Sequence, residues 1–82
     1  MIKISLLFFA TLRDLAGTRR TELELEPGTK VADLKTRLPE KFPRLQPALG
    51  SVLVSINREF AFDQDEIPEG AEIALFPPVS GG

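Results

Sequence analysis

Apolar residues alternate along the first stretch of the chain. Over residues 2–9, Ile2, Ile4, Leu6 and Phe8 fall on one face of an extended segment, and Ser5, Leu7 and Phe9 fall on the other. Both faces turn apolar toward the end, which predicts a central strand covered on each side. Residues 10–18 predict a short helical turn stopped by Gly17. Residues 19–26 alternate cleanly: Thr21, Leu23 and Leu25 point inward, while Arg20, Glu22, Glu24 and Glu26 meet water. This predicts a half-exposed strand, hairpin-paired with the first.

Pro27-Gly28 signals a turn, because proline presets φ and glycine admits φ > 0. Thr29 is the expected N-cap of a helix starting at Lys30, with Asp33 in the first turn where the helix dipole favours an anion. Val31, Leu34 and Leu38 recur at helical spacing, and Pro39 predicts a kink or end near Leu38. Residues 39–51 hold three prolines and read as turns and loop, pinned to the core by Phe42, Leu45 and Leu49. Residues 52–56 predict a third strand, 57–59 a turn and 60–62 a brief return strand. An acidic loop follows over 63–70, then a last strand over 71–76, ended by Pro77-Pro78 because neither residue can donate to a ladder. On that strand Ile73 and Leu75 share one face, and Glu72, Ala74 and Phe76 the other.

The predicted order is strand, strand, helix, strand, short strand, strand. One helix across one face of a mixed sheet of four to five strands satisfies it. This is the α+β architecture of the β-grasp, or ubiquitin-like, fold, in which first and last strands lie side by side at the centre. A ferredoxin-like arrangement needs a second long helix, and the pattern offers none. Residues 1–76 are the expected domain and 77–82 an extended tail, stiffened at its start by the prolines.

At 82 residues one domain is the sensible count, with one thin core and little room for a deep cleft. The chain has no cysteine and no histidine, which removes thiolate metal sites, a cysteine nucleophile and the commonest general base. No metal site is expected: Asp63, Asp65 and Glu66 lack the glycine and following glutamate of a calcium loop and read as an acidic surface loop. A carrier or binding module is the better starting point than an enzyme with its own acid–base groups. Net charge is −2, made of +3 over residues 1–44 and −5 over residues 45–82, so the acidic second half is expected to attract a basic partner. No long basic run supports nucleic-acid binding. Lys3 and the apolar run 4–10 only faintly resemble a signal peptide: Arg13 and Asp14 close the run, and no cleavage pattern follows. No stretch approaches the length of a membrane span. A cytoplasmic location is expected.

The most informative residues are Gly81 and Gly82, on which the sequence closes. Two residues without a Cβ can thread a channel that excludes side chains, and they would present one reactive group, the α-carboxylate of Gly82. A carboxylate becomes an electrophile once ATP converts it to an acyl-adenylate, and the activated carbonyl then accepts sulfur or an amine.

Residues 76–82, Phe-Pro-Pro-Val-Ser-Gly-Gly, resemble the terminal signature of the small subunit of molybdopterin synthase (the MoaD family). Residues 8–17, FFATLRDLAG, resemble the same family's paired aromatics, short helix with Arg and an acid, and closing Gly. Residues 18–70 match in pattern only. The resemblance implies a ubiquitin-like sulfur carrier without tightly bound cofactor. An adenylating enzyme of the ubiquitin-activating type would use ATP to form a glycyl-adenylate at Gly82, and a sulfur donor would turn it into a thiocarboxylate. Val79, Ser80 and Gly81, led by Pro77 and Pro78, would thread into the large synthase subunit, within a 2:2 heterotetramer. There the sulfur would pass to cyclic pyranopterin monophosphate, and two transfers would build the dithiolene of molybdopterin. Catalytic residues would belong to the large subunit. Phe9, Phe76 and Phe60 would form the partner surface, unless loop 39–51 covers them; Arg13 and Asp14 are either partner contacts or an exposed pair. The other readings are a carrier for thiamin or cysteine synthesis or tRNA thiolation, a protein modifier whose Gly82 joins lysines, and a binding module with an inert tail.

Overall fold

The computed structural model describes residues 1–78. Five strands form one sheet in the order β2-β1-β5-β3-β4: β1 Ile2–Phe8, β2 Arg20–Leu25, β3 Leu53–Ile56, β4 Glu59–Ala61 and β5 Glu72–Phe76. β1 pairs antiparallel with β2 and parallel with β5, and β3 lies antiparallel to both β5 and β4. First and last strands are therefore neighbours at the centre of a mixed sheet, the β-grasp arrangement that the pattern predicts.

Alternation decides which face is buried. Ile2, Ile4, Leu6 and Phe8 of β1, with Ile73 and Leu75 of β5 and Val54 of β3, enter the core. Helix α2, Val31–Lys41, lays Val31, Leu34 and Leu38 against them. The short helix α1, Thr11–Ala16, adds Leu12 and ends on Gly17 at φ 76°. Phe42 packs edge-on against Phe8, with ring centroids 5.2 Å apart.

Four local expectations are corrected. Thr29 does not cap α2: its hydroxyl is buried and donates to the Glu26 carbonyl at 2.6 Å, closing the Pro27-Gly28 turn. Lys30 is the capping residue, and the Asp33 carboxylate accepts its N–H at 3.0 Å. Helix α2 runs through Pro39 to Lys41, because a proline in the last turn removes one hydrogen bond that little helix remains to need. Residues 43–51 form a 3₁₀ segment, Pro43–Ser51, with Leu45 and Leu49 buried. Tight i→i+3 winding tolerates the missing N–H of Pro47 at a cost the two buried leucines offset. β4 begins at Glu59, because the turn is only Asn57-Arg58, both at positive φ (51° and 73°) as a two-residue hairpin requires. Phe62 falls just past the strand.

The acidic stretch has a structural task. The carbonyls of Asp65 and Asp63 accept the N–H groups of Val31 and Ala32 at 3.0 Å each, so this loop caps α2 with its main chain. Ile67, in the same stretch, is buried and returns an N–H to the Thr29 carbonyl at 2.9 Å. The Lys35–Asp63 ion pair, at 2.8 Å, adds little at an exposed site. No helix among the described residues is long and apolar enough to cross a membrane.

Leu75 is fully buried at the sheet centre, so Leu75→Ala is expected to cost about 2–5 kcal/mol by urea denaturation. Leu53→Ala, on the same sheet but partly exposed, should cost under about 1 kcal/mol.

Candidate functional site

The sheet face opposite α2 is uncovered. The 3₁₀ segment packs on the helix side, so it does not lie over Phe9 and Phe76. Register fixes what the open face presents. One row across the sheet reads Arg20, Leu7, Ala74, Ser55, Phe60, because Leu7 stands opposite Arg20 and Ala74, and Ser55 opposite Ala74 and Phe60. The next row toward the end of β1 brings Phe9 beside Phe76, which in turn faces Leu53. The row on the other side is polar, with Glu22 and Glu72 flanking Ser5. The apolar part of the face thus sits at one end only.

Phe9 and Phe76 stack, with centroids 4.7 Å apart and planes 12° off parallel. Two neighbouring parallel strands make this possible, since both rings leave the same face at the same height. The Phe9 N–H donates to the Leu75 carbonyl at 3.2 Å, extending the β1–β5 ladder one step past β1. The chain then turns sharply. Ala10 takes φ 52° and ψ −129°, and the Leu12 N–H closes the turn on the Phe9 carbonyl at 3.1 Å. That backbone region suits glycine, so an alanine there carries strain of order 1 kcal/mol. The turn lets Phe8 enter the core while Phe9 stays 42% exposed.

A shallow groove of about 300 Å³ runs between Phe9, Phe76 and Phe60, floored by Leu7, Ala74 and Ser55 and edged by Arg58 and Glu72. A wider hollow of about 540 Å³ lies beyond Phe60, bounded by Leu53, Phe62 and Lys35. Phe60 and Phe62 are 74% and 72% exposed, and Leu53 is half that. Exposed aromatics gathered on a small domain form an apolar patch of the kind that interaction sites use. Phe62 lines the same hollow as Phe60 and Leu53, and Arg58 edges the groove; the sequence pattern points to none of Phe62, Leu53 and Arg58, because only the hairpin register places them.

Phe9, Phe76 and Phe60 lie on one face. Pro77, half-buried, and Pro78, exposed, follow β5 directly and leave from the same end as the aromatic pair. Val79, Ser80, Gly81 and Gly82 lie outside the described residues. Arg13 and Asp14 are both exposed on α1 and make no ion pair with each other. Asp63 and Asp65 serve the loop itself: Asp65 accepts the Phe62 N–H at 2.7 Å, and Asp63 accepts Lys35.

Residues 6–82 match the ThiS family. The chain is 35% identical to the molybdopterin synthase sulfur carrier subunit of Mycobacterium tuberculosis and 37% identical to that of Escherichia coli, each match covering all of both chains. Among solved structures it resembles SAMP1 of Haloferax volcanii at a TM-score of 0.85 and 30% identity, over 98% of this chain and 99% of that one.

Phe60→Ala and Phe62→Ala should each change stability by no more than about 0.5 kcal/mol, because both rings stand in water. Thermal melts of the two variants check this. A large drop in either would mean that the ring is packed and not presented.

Proposed function

The chain belongs to the ThiS family, and from that premise we propose that it is the sulfur carrier subunit of a molybdopterin synthase. The observation that carries this reading is the Phe9–Phe76 platform at the end of the sheet from which Pro77-Pro78 depart. A partner seated on the aromatics would receive the tail in the same encounter. The full-length likeness to two carrier subunits supports the reading, as does the Phe-Pro-Pro-Val-Ser-Gly-Gly sequence.

In this proposal the chain contributes a body, a docking face and one reactive carboxylate. A Gly82 carboxylate oxygen attacks the α-phosphorus of ATP on a ubiquitin-activating-type enzyme, and pyrophosphate leaves. A sulfur nucleophile at the level of sulfide attacks the acyl-adenylate carbonyl, and AMP leaves, giving the thiocarboxylate. In the large synthase subunit, its sulfur attacks an oxygen-bearing carbon of cyclic pyranopterin monophosphate, the carbon–oxygen bond breaks with the oxygen group leaving, and a thioester joins carrier and pterin. Water then cleaves the thioester and restores the carboxylate. Two carriers per pair of large subunits fit two sulfur transfers. With no cysteine or histidine of its own, the chain leaves proton transfers to the partner. The setting for this chemistry is the cytoplasm. The aromatics act as anchors, where a few large rings carry most of the binding energy.

A second reading is favoured by one observation, the likeness to SAMP1, a small archaeal modifier protein. There the same acyl-adenylate would pass to a lysine amine and not to sulfur.

Intact mass after incubation with adenylating enzyme, ATP and sulfide separates the two. One oxygen replaced by sulfur, lost on deletion of Gly82, is the expected outcome. An isopeptide adduct without that exchange favours the modifier, and an unchanged mass beside a competent control carrier overturns both. Phe76→Ala should weaken binding to the large subunit by about 2 kcal/mol or more, roughly thirtyfold, by calorimetry. Unchanged affinity would remove the platform from the docking role.

A further inference from the structure

Part of the rim of the aromatic platform, at the end of β1, carries the opposite charge from the chain as a whole. Net charge is −2, and residues 45–82 hold −5. Bulk charge alone would select a basic partner. At the end of the sheet where Phe9 lies, however, three arginines surround a hollow of about 350 Å³ with no acid among its lining residues. They are Arg13, Arg19 and Arg20. All three are exposed, and none pairs with a carboxylate; the ion pair found among the described residues is Lys35–Asp63, elsewhere.

Topology collects them. The antiparallel return of β2 from Gly17 brings Arg19 and Arg20 back to the end of β1, where the Phe8 N–H donates to the Arg19 carbonyl at 2.9 Å. Arg20 stands opposite Leu7 on the open face, and its Nη2 donates to the Ser5 hydroxyl at 3.2 Å, which lays its side chain across that face. Arg13 reaches the same hollow from α1. Leu7 and Phe9 line both this hollow and the aromatic groove, so one surface continues into the other. Whatever covers the rings meets the arginines.

Resting on the docking reading above, we propose that the protein surface seated on the platform carries carboxylates against Arg19 and Arg20, with Arg13 completing the group. The guanidinium fork matches a carboxylate with two parallel hydrogen bonds and is weakly hydrated, which suits a site that loses water on docking. Three unpaired like charges at one rim raise the local potential and draw in an acidic surface, despite a net repulsion from the rest of the molecule. The arrangement is an apolar centre with a charged rim, and rim charge governs the approach more than the residence time.

The test is the association rate with the large synthase subunit, followed by stopped-flow fluorescence at low and at physiological ionic strength. The Arg19→Glu/Arg20→Glu double variant is compared with Arg37→Glu, a control on the exposed side of α2, and circular dichroism melts verify folding. The double variant should associate about tenfold more slowly at low salt, with the gap narrowing as salt rises, while Arg37→Glu stays within about twofold of the parent. An unchanged or faster association, or a slowing indifferent to salt, overturns the proposal. Phe76→Ala measured alongside keeps the two readings apart. If it accelerates dissociation while the arginine variant associates normally, only the acidic partner is lost; if neither variant alters binding, the docking reading falls with it.

Discussion

The parallel pairing of β1 with β5 is the constraint on which the rest of the molecule depends. Parallel neighbours cannot be joined by a tight turn, so the chain between them must cross over, and its helical part does so on one face of the sheet. That crossing supplies α2 and the 3₁₀ segment to bury Leu6, Ile73 and Leu75, and it leaves the other face bare. Both strands also run the same way, so their ends coincide. Phe9 and Phe76 meet there because each sits at the last position of its ladder. An antiparallel pairing would have put the two rings at opposite ends of the sheet and the departing chain away from Phe9.

The acidic half of the sequence turns out to serve two ends. Within the fold, residues 63–67 hold the start of α2 through main-chain carbonyls, a cap that needs no particular side chain. On the surface, Glu72 edges the aromatic groove and Asp63 the hollow beyond Phe60, while the hollow at the end of β1 is lined by arginines of the first half and by none of these acids. The charge asymmetry read along the chain is therefore a poor guide to charge in space, because the return into β2 brings Arg19 back to the end of β1 and sets Arg20 on the open face.

Most of the fold is legible in the sequence, because period-two and helical spacing fix which residues share a face. Ile4, Leu6 and Phe8 against Leu7 and Phe9, and Val31, Leu34 and Leu38 along α2, follow from spacing alone. What escapes is set by partners far off in sequence. Thr29 carries a good capping side chain, yet the Glu26 carbonyl nearby claims its hydroxyl, and the Asp63–Asp65 carbonyls take the role instead. Three prolines over 39–51 suggest a loop, but Leu45 and Leu49 have enough apolar surface to hold a tight helix against the core. Of the open face, Phe9 and Phe76 are readable from alternation. Phe62, Leu53 and Arg58 are not, since nothing in the local pattern announces a two-residue turn at Asn57-Arg58 without a glycine.

A domain this small that shows five large hydrophobic side chains to water among its described residues, Met1, Phe9, Leu53, Phe60 and Phe62, invites its copies to stack. The sheet's borders work against it. β4 offers only three residues, too few to template another strand, and β2 turns Glu22 and Glu24 outward along the opposite border, where two copies brought edge to edge would set carboxylate against carboxylate. Lateral growth of the sheet into a fibril is thereby discouraged, although the open face stays apolar at one end.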